Sequence, residues 1–402
     1  VFSNRYVRTL VLSQVTLQLG IWIRNFAVLL FVTEMTGNDP FYVSLISVME
    51  YGPIFLFAII GGTFADRWQP KRTMVWSDLL SAISVAVVLA ATLRGQWAAL
   101  LLGMLVSASL SQFSQPSAMK LYKKHVPDEL LQKVMAMSQS LIAIFMIAGP
   151  IIGTFIYARL GIGASLLITM VCFFGSALIL SLLPRDAKEM KSAETGSFLE
   201  DVAEGIRYLW RNRVLRTLGF TFAVTGLAAG MIQPMLIFVA IEKLGQDKSF
   251  LQWLLMANGA AMLVGGAVIM GIAKKVKPQI LLTVGLLVSA ACNFGVGSST
   301  FIPATLGLQI IGGFVYPCIQ VGIQTLILKN TESSLLGRVG GAITPIFMGM
   351  MLIGMMLSGY VKDTLSLFTV YAASGGLLII GALLLAPLLK KEKVKAEIGI
   401  TH

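Results

Sequence analysis

The chain has 402 residues, 56% of them hydrophobic and only 12% charged, with a mean hydropathy of +0.82. Ordinary soluble domains carry about 25% charged residues, so the composition excludes a soluble globular class. It points instead to a chain that lives in lipid. The net charge of +12 carries no implication of nucleic acid, because the basic residues sit between apolar runs, where they set insertion and meet anionic lipid.

In chain order, twelve apolar runs are expected to span a membrane, near 8–33, 41–65, 72–93, 97–118, 134–158, 161–183, 214–240, 248–272, 278–297, 301–328, 337–361 and 364–388. Each reaches the roughly twenty residues that a hydrocarbon layer requires. They lack the alternation of barrel strands, so helices satisfy their backbone groups. The opening VFSNRYVRT has no cleavable-signal pattern, and the first run is expected to stay as a span. With the N-terminus inside, Arg94, Arg159, Lys243, Lys248 and Lys362 fall in outer loops and Arg24 within a span. The other Lys and Arg residues fall on the cytoplasmic side, so both termini are expected there. Cys172, Cys292 and Cys318 each lie inside an apolar run and suggest neither disulfide nor metal.

The longest polar stretch, 184–216, divides the spans six and six. Within it SFLEDVAEGIRYLWRN sets Phe198, Val202, Ile206 and Leu209 at helical spacing, an amphipathic helix expected on the cytoplasmic surface. The expected organisation is a first six-helix bundle over 1–183, a linker with this helix over 184–213, and a second bundle with a short basic tail over 214–402. The halves echo each other. FVTEMTG at 31–37 matches FVAIEKLG at 238–245, and at that same offset Pro70 falls on Pro278. A parallel repeat of this kind implies two pseudo-symmetric bundles related by an axis along the membrane normal, with alternating access between them.

Several residues carry chemistry. The first cytoplasmic hairpin, GGTFADRWQPKR at 61–72, combines Gly62, which permits close helix approach, with Asp66, Arg67, Lys71 and Arg72. That combination reads as a latch which breaks when the cytoplasmic side opens, and Asp78, a short way into the third span, is expected to join it. Arg24 and Glu50 are charges inside the first and second spans, each about nine residues from the outer end, ~13 Å deep at 1.5 Å per residue. Adjacent antiparallel spans at equal depth predict a contact, and pairing reduces the cost of charge in lipid. Glu50 is the first candidate for proton exchange, with Arg24 its modulator or a ligand contact. The pair also fits a purely structural brace. Gln18, Asn25, Tyr51, Gln112, Gln115 and Gln139 are candidate lining groups for a central cavity. Glu34 and Glu242, at outer helix ends, read as surface caps. His125 is expected in the loop between the fourth and fifth spans, His402 ends the chain, and no phosphate loop or hydrolytic triad is present. No catalytic residue, metal or cofactor is expected.

The hairpin with Gly62, Asp66, Arg67, Lys71 and Arg72 resembles the signature between the second and third helices of the major facilitator superfamily. AGPIIG at 148–153, with Gly149, Pro150 and Gly153, resembles the fifth-helix motif of its antiporters. TEMTG, the SDLLSA segment holding Asp78, and FSQPS at 113–117 are similar to the bacterial macrolide and multidrug efflux branch. This resemblance implies an all-α polytopic transporter of the bacterial inner membrane, monomeric, driven by a proton gradient and exporting a small amphipathic substrate. Export of an endogenous amphiphile such as a siderophore or lipid is an alternative, as is a non-transporting receptor or scaffold. The chain departs from the family pattern at three places: Gln69 and Pro70 alter the hairpin loop, Gln139 and Ala143 replace expected fifth-helix glycines, and Ser107 stands where many proton-driven relatives carry a fourth-helix arginine.

Overall fold

The computed structural model describes residues 4–65, 69–184, 198–272, 275–332 and 335–388. Among the described residues every regular element is helical. Helix α1 spans Arg5–Met35, α2 Pro40–Ala65, α3 Pro70–Leu93, α4 Ala99–Ser111, α5 Ser114–His125, α6 Asp128–Ser181 and α7 Phe198–Arg211. Helix α8 spans Arg213–Ile232 and runs on through a 3-10 turn at Gln233–Met235, a single turn α9 at Leu236–Phe238 and a π turn at Val239–Lys243. Helices α10 Leu251–Ile272, α11 Pro278–Ser298, α12 Ile302–Asn330, α13 Leu336–Thr364 and α14 Leu367–Leu384 complete the chain. Ten described helical stretches are long and apolar enough to cross a membrane, and Ala99–Ser111 is a shorter apolar helix.

One feature differs from the sequence expectation. The fourth run is broken at Gln112 and Phe113, and helix resumes in α5 as far as His125, inside the expected loop. His125 stacks on Tyr6 with ring centroids 3.8 Å apart, and its carbonyl accepts from the Asn4 side chain at 3.0 Å. The fifth and sixth runs stay distinct: α6 is two helices meeting at Gly161, whose φ of 76° is left-handed and suits glycine.

The chain forms two compact units, Val1–Gly196 and Ser197–His402. In the first unit α1 packs along α6, α3 against α6, and α2 against α4, around a core that includes Val28, Ile46, Val85, Leu100, Met104, Leu166 and Phe173. In the second, α8 packs on α13 and α14, and α11 on α12. The amphipathic α7 belongs to this unit: Leu209 is buried with Leu215, Leu218 and Val339, while Ile206 and Trp210 stay exposed. Exposed apolar side chains such as Leu93, Met270 and Leu365 are what a lipid-facing surface requires.

Equivalent positions in the two units do equivalent work. Asn4 caps α1 by accepting from the Tyr6 and Val7 amides, and Asn212 caps α8 by accepting from the Val214 and Leu215 amides. Each cap also donates from Nδ2 to a helix-end carbonyl, His125 for one and Asn330 for the other. Asn4 and Asn212 stand at the same offset as Glu34 and Glu242. Those two acids tie helices together rather than capping them: Tyr157 donates to Glu34 at 2.8 Å, and Lys362 pairs with Glu242 at 2.6 Å.

Glycine governs the tightest helix crossing in the second unit. A Cβ on Gly230 would collide with the Met351 backbone carbonyl, and one on Gly226 would lie 2.5 Å from that of Phe347. Backbone cannot yield as a side-chain tip can, so Gly230→Leu is expected to force α8 from α13 and destabilise the protein by about 1–3 kcal/mol. A lowered unfolding midpoint in detergent checks this, and an unchanged midpoint contradicts the close approach.

Candidate functional site

The polar cluster is built on α1, α2 and α4. Arg24 is only 5% exposed, and its guanidinium brings five donors into the protein interior. Its Nε and Nη2 donate to Asn25 Oδ1 at 3.1 and 2.9 Å, its Nη1 donates to Ser107 Oγ on α4, and its Cζ lies 5.8 Å from the centre of the Phe173 ring. The other end of the Asn25 amide donates from Nδ2 to Glu50 Oε1 at 2.6 Å. The two charges are thus linked through an amide whose oxygen faces the cation and whose nitrogen faces the anion. Each hydrogen bond polarises the next in the same sense.

Close packing fixes this arrangement. Gly149 and Gly153 on α6 face Trp22 and Phe26 of α1: a Cβ on Gly149 would collide with the Trp22 ring, and one on Gly153 would lie 2.8 Å from both Phe26 Cβ and the Trp22 carbonyl. Pro150 lies between them inside α6. The sequence motif therefore brings the fifth span against the turn of α1 that carries Arg24.

A cavity of about 690 Å³ opens within the first unit, its wall formed by α1 to α6. Gln18, Gln112 and Gln139 line it, together with Asp78. Arg24, Asn25, Glu50 and Tyr51 are not on that wall. Gln115 lies in α5. Asp78 is 2% exposed and accepts from Ser176 Oγ of α6 at 2.6 Å. The Ser13 carbonyl of α1, 3.2 Å from Ser176 Oγ, is the alternative acceptor for the same proton.

Asp66 and Arg67 of the hairpin lie outside the described residues, and Gly62 lies in the last turns of α2. Lys71 donates from Nζ to the carbonyls of Ser181, at 2.9 Å, and Leu183, so it satisfies the orphan acceptors at the end of α6. Arg72 is exposed at the start of α3. In the second unit Asn258 donates to the carbonyl and side chain of Gln309, joining α10 to α12.

Sequence reasoning assigned Ser107 only a missing arginine, yet the structure uses it as an acceptor for the arginine that α1 supplies. Asn25 was one candidate lining group among many, and its position as the bridge depends on rotation about α1. The signal available was its adjacency to Arg24. Phe113 and Ser114 fall in the FSQPS segment, which gave them no role, while Ser176 and Phe57, whose ring meets Phe113 edge to face with centroids 4.7 Å apart, had no distinguishing signal.

The family model for the Major Facilitator Superfamily matches residues 10–350 and again 218–399. Among curated relatives, the uncharacterized MFS-type transporter YkuC of Bacillus subtilis (strain 168) is 26% identical over 361 residues, covering 87% of this chain and 83% of its own. The multidrug efflux pump Tap of Mycolicibacterium fortuitum is 27% identical over 82% of this chain and 83% of its own length. Macrolide efflux protein A of Streptococcus pyogenes is 22% identical over 89% of each. Of solved structures, the nucleoside transporter NupG is similar with a TM-score of 0.78 at 12% identity, covering 96% of this chain and 99% of that one. The peptide-family (POT) transporter PepTSo follows with a TM-score of 0.72 at 14% identity, covering 98% and 99%. At those identities the structural likeness carries the fold alone. Taken with the helical membrane architecture, these matches establish that the chain belongs to the Major Facilitator Superfamily, whose work is secondary-active transport and not catalysis.

Proposed function

We propose that this protein is a proton-coupled exporter of amphipathic molecules, working by alternating access in the bacterial inner membrane as a monomer with both termini cytoplasmic. The observation that carries this reading is the Arg24–Asn25–Glu50 chain at mid-span, joined to α4 through Ser107. Twelve spans in two six-helix bundles follow when α6 is divided at Gly161 and α4 with α5 counted as one crossing. The matching Asn4 and Asn212 caps support that symmetry. The efflux sense is supported by two relatives named as a multidrug efflux pump and a macrolide efflux protein.

In this reading Glu50 takes up and releases the proton. Ionised, it accepts from Asn25 and holds α2 to α1. Protonated, it loses the charge that orients the amide, and the link between the two helices weakens. Arg24, anchored on Ser107, keeps Asn25 poised for the next cycle. Gly62, Asp66, Arg67, Lys71, Arg72 and Asp78 act on the cytoplasmic side, where Lys71 sets the start of α3 against the end of α6. An anionic headgroup at Arg24, which would have favoured an endogenous amphiphile, loses support because all three of its nitrogens already donate to Asn25 or Ser107 and it lies off the cavity wall.

The test is substrate flux in reconstituted vesicles under an imposed proton gradient, with a panel of amphipathic drugs, siderophores and lipids. At least one amphipathic compound is expected to accumulate against its gradient and to stop when an uncoupler collapses the proton gradient. Flux indifferent to that collapse rejects proton coupling.

A further inference from the structure

The cavity of the first unit has a charge character opposite to that of the chain. The protein carries a net charge of +12, yet among the described residues Asp78 is the one charged side chain on the wall of that cavity. No described lysine or arginine lines it. The rest of the wall consists of amides and hydroxyls such as Gln18 and Ser138, with the Phe57–Phe113 pair and methionines Met74 and Met119 between them.

Among the described residues, the groups facing Asp78 are neutral. From α6 it receives the Ser176 hydroxyl. From α5, Ser114 stands buried on the same wall with its hydroxyl toward the carboxylate, and Tyr122 supplies a phenol. Glu50, by contrast, has Arg24 one amide away. A buried carboxylate held by hydroxyls and no cation is costly in a membrane. The volume of about 690 Å³ lies in the range of small-molecule sites. Aromatic faces and flexible thioethers suit a bulky apolar body, and aromatic faces also attract positive charge.

We infer that this cavity is a binding site for an amphipathic monocation, whose charge lies against Asp78 and whose apolar body lies against Phe57, Phe113 and Met74. This rests on the export reading and gives its substrate a charge. Asp78 then contacts ligand instead of serving only the cytoplasmic latch, and it is separate from the Arg24–Glu50 chain that handles the proton.

The experiment is equilibrium binding to the purified full-length protein of two probes of the same shape and opposite charge, tetraphenylphosphonium and tetraphenylborate. The wild type is expected to prefer the cation by at least about tenfold, one opposed charge in a desolvated site. Asp78→Asn is expected to lose at least about tenfold in affinity for tetraphenylphosphonium. Equal binding of both probes by the wild type overturns the inference even if Asp78→Asn fails to fold. A folded Asp78→Asn that binds the cation within twofold of wild type overturns it as well, and would mean that a proton alone neutralises Asp78. The assay contains no gradient and no transport step. Export can therefore fail in vesicles while the site stands, and the site can fail while export stands.

Discussion

Glu50→Gln is expected to abolish gradient-driven accumulation of substrate while leaving the protein folded. Glutamine keeps the shape of glutamate and still presents an oxygen to Asn25 Nδ2, so the 2.6 Å contact from Asn25 has a neutral counterpart. Arg24 keeps its bonds to Asn25 and Ser107. What disappears is the group that gains and loses a proton. Accumulation should fall by about a hundredfold or more, the low end of what a positioned proton-transferring side chain contributes. Exchange of labelled for unlabelled substrate at equal concentration on both faces needs no proton, and it should persist. The two assays together separate lost coupling from lost binding. A Glu50→Gln variant that still accumulates substrate with the pH dependence of wild type removes Glu50 from the role.

Arg24→Leu should have the larger effect on stability. The substitution removes the cation, leaves Asn25 Oδ1 and Ser107 Oγ without their donors, and strands the Glu50 charge inside a span. Removing one member of a buried charge pair costs about 3–5 kcal/mol, mostly the penalty on the partner left behind. The cost should therefore be recovered in part by a second change: Arg24→Leu with Glu50→Gln is expected to unfold later than Arg24→Leu alone. A double-mutant cycle on unfolding in detergent reads the coupling directly. Simple additivity would mean that Asn25 transmits nothing between the two charges.

These outcomes show why some of the site was legible in the sequence and some was not. The spans could be read because lipid imposes a length and a composition on every crossing. The depth of Arg24 and Glu50 was likewise fixed by counting from the helix ends. Depth is height along an axis, however, and contact also needs rotation about it. Adjacent residues on a helix point about 100° apart, so neither the bridge through Asn25 nor the reach of Arg24 to Ser107 could be derived. Asp78 was assigned to the hairpin latch by nearness along the chain, and its Ser176 partner comes from the far end of α6. The break at Gln112 and Phe113 falls where polar residues interrupt an apolar run, a cue that equally fits a loop. The apolar face of α7 was visible as a spacing, but its division into a buried Leu209 and an exposed Ile206 depends on which helices lie beneath it.

The central claim is that Glu50 carries the proton exchanged for substrate. Vesicles with no initial pH difference but a steep substrate gradient test it most directly, with a pH-sensitive dye trapped inside. Wild-type protein should drive protons opposite to the substrate, shifting the internal pH until the two gradients balance, and Glu50→Gln protein should leave the internal pH unchanged. Proton movement of the same size and direction in the Glu50→Gln protein would contradict the account.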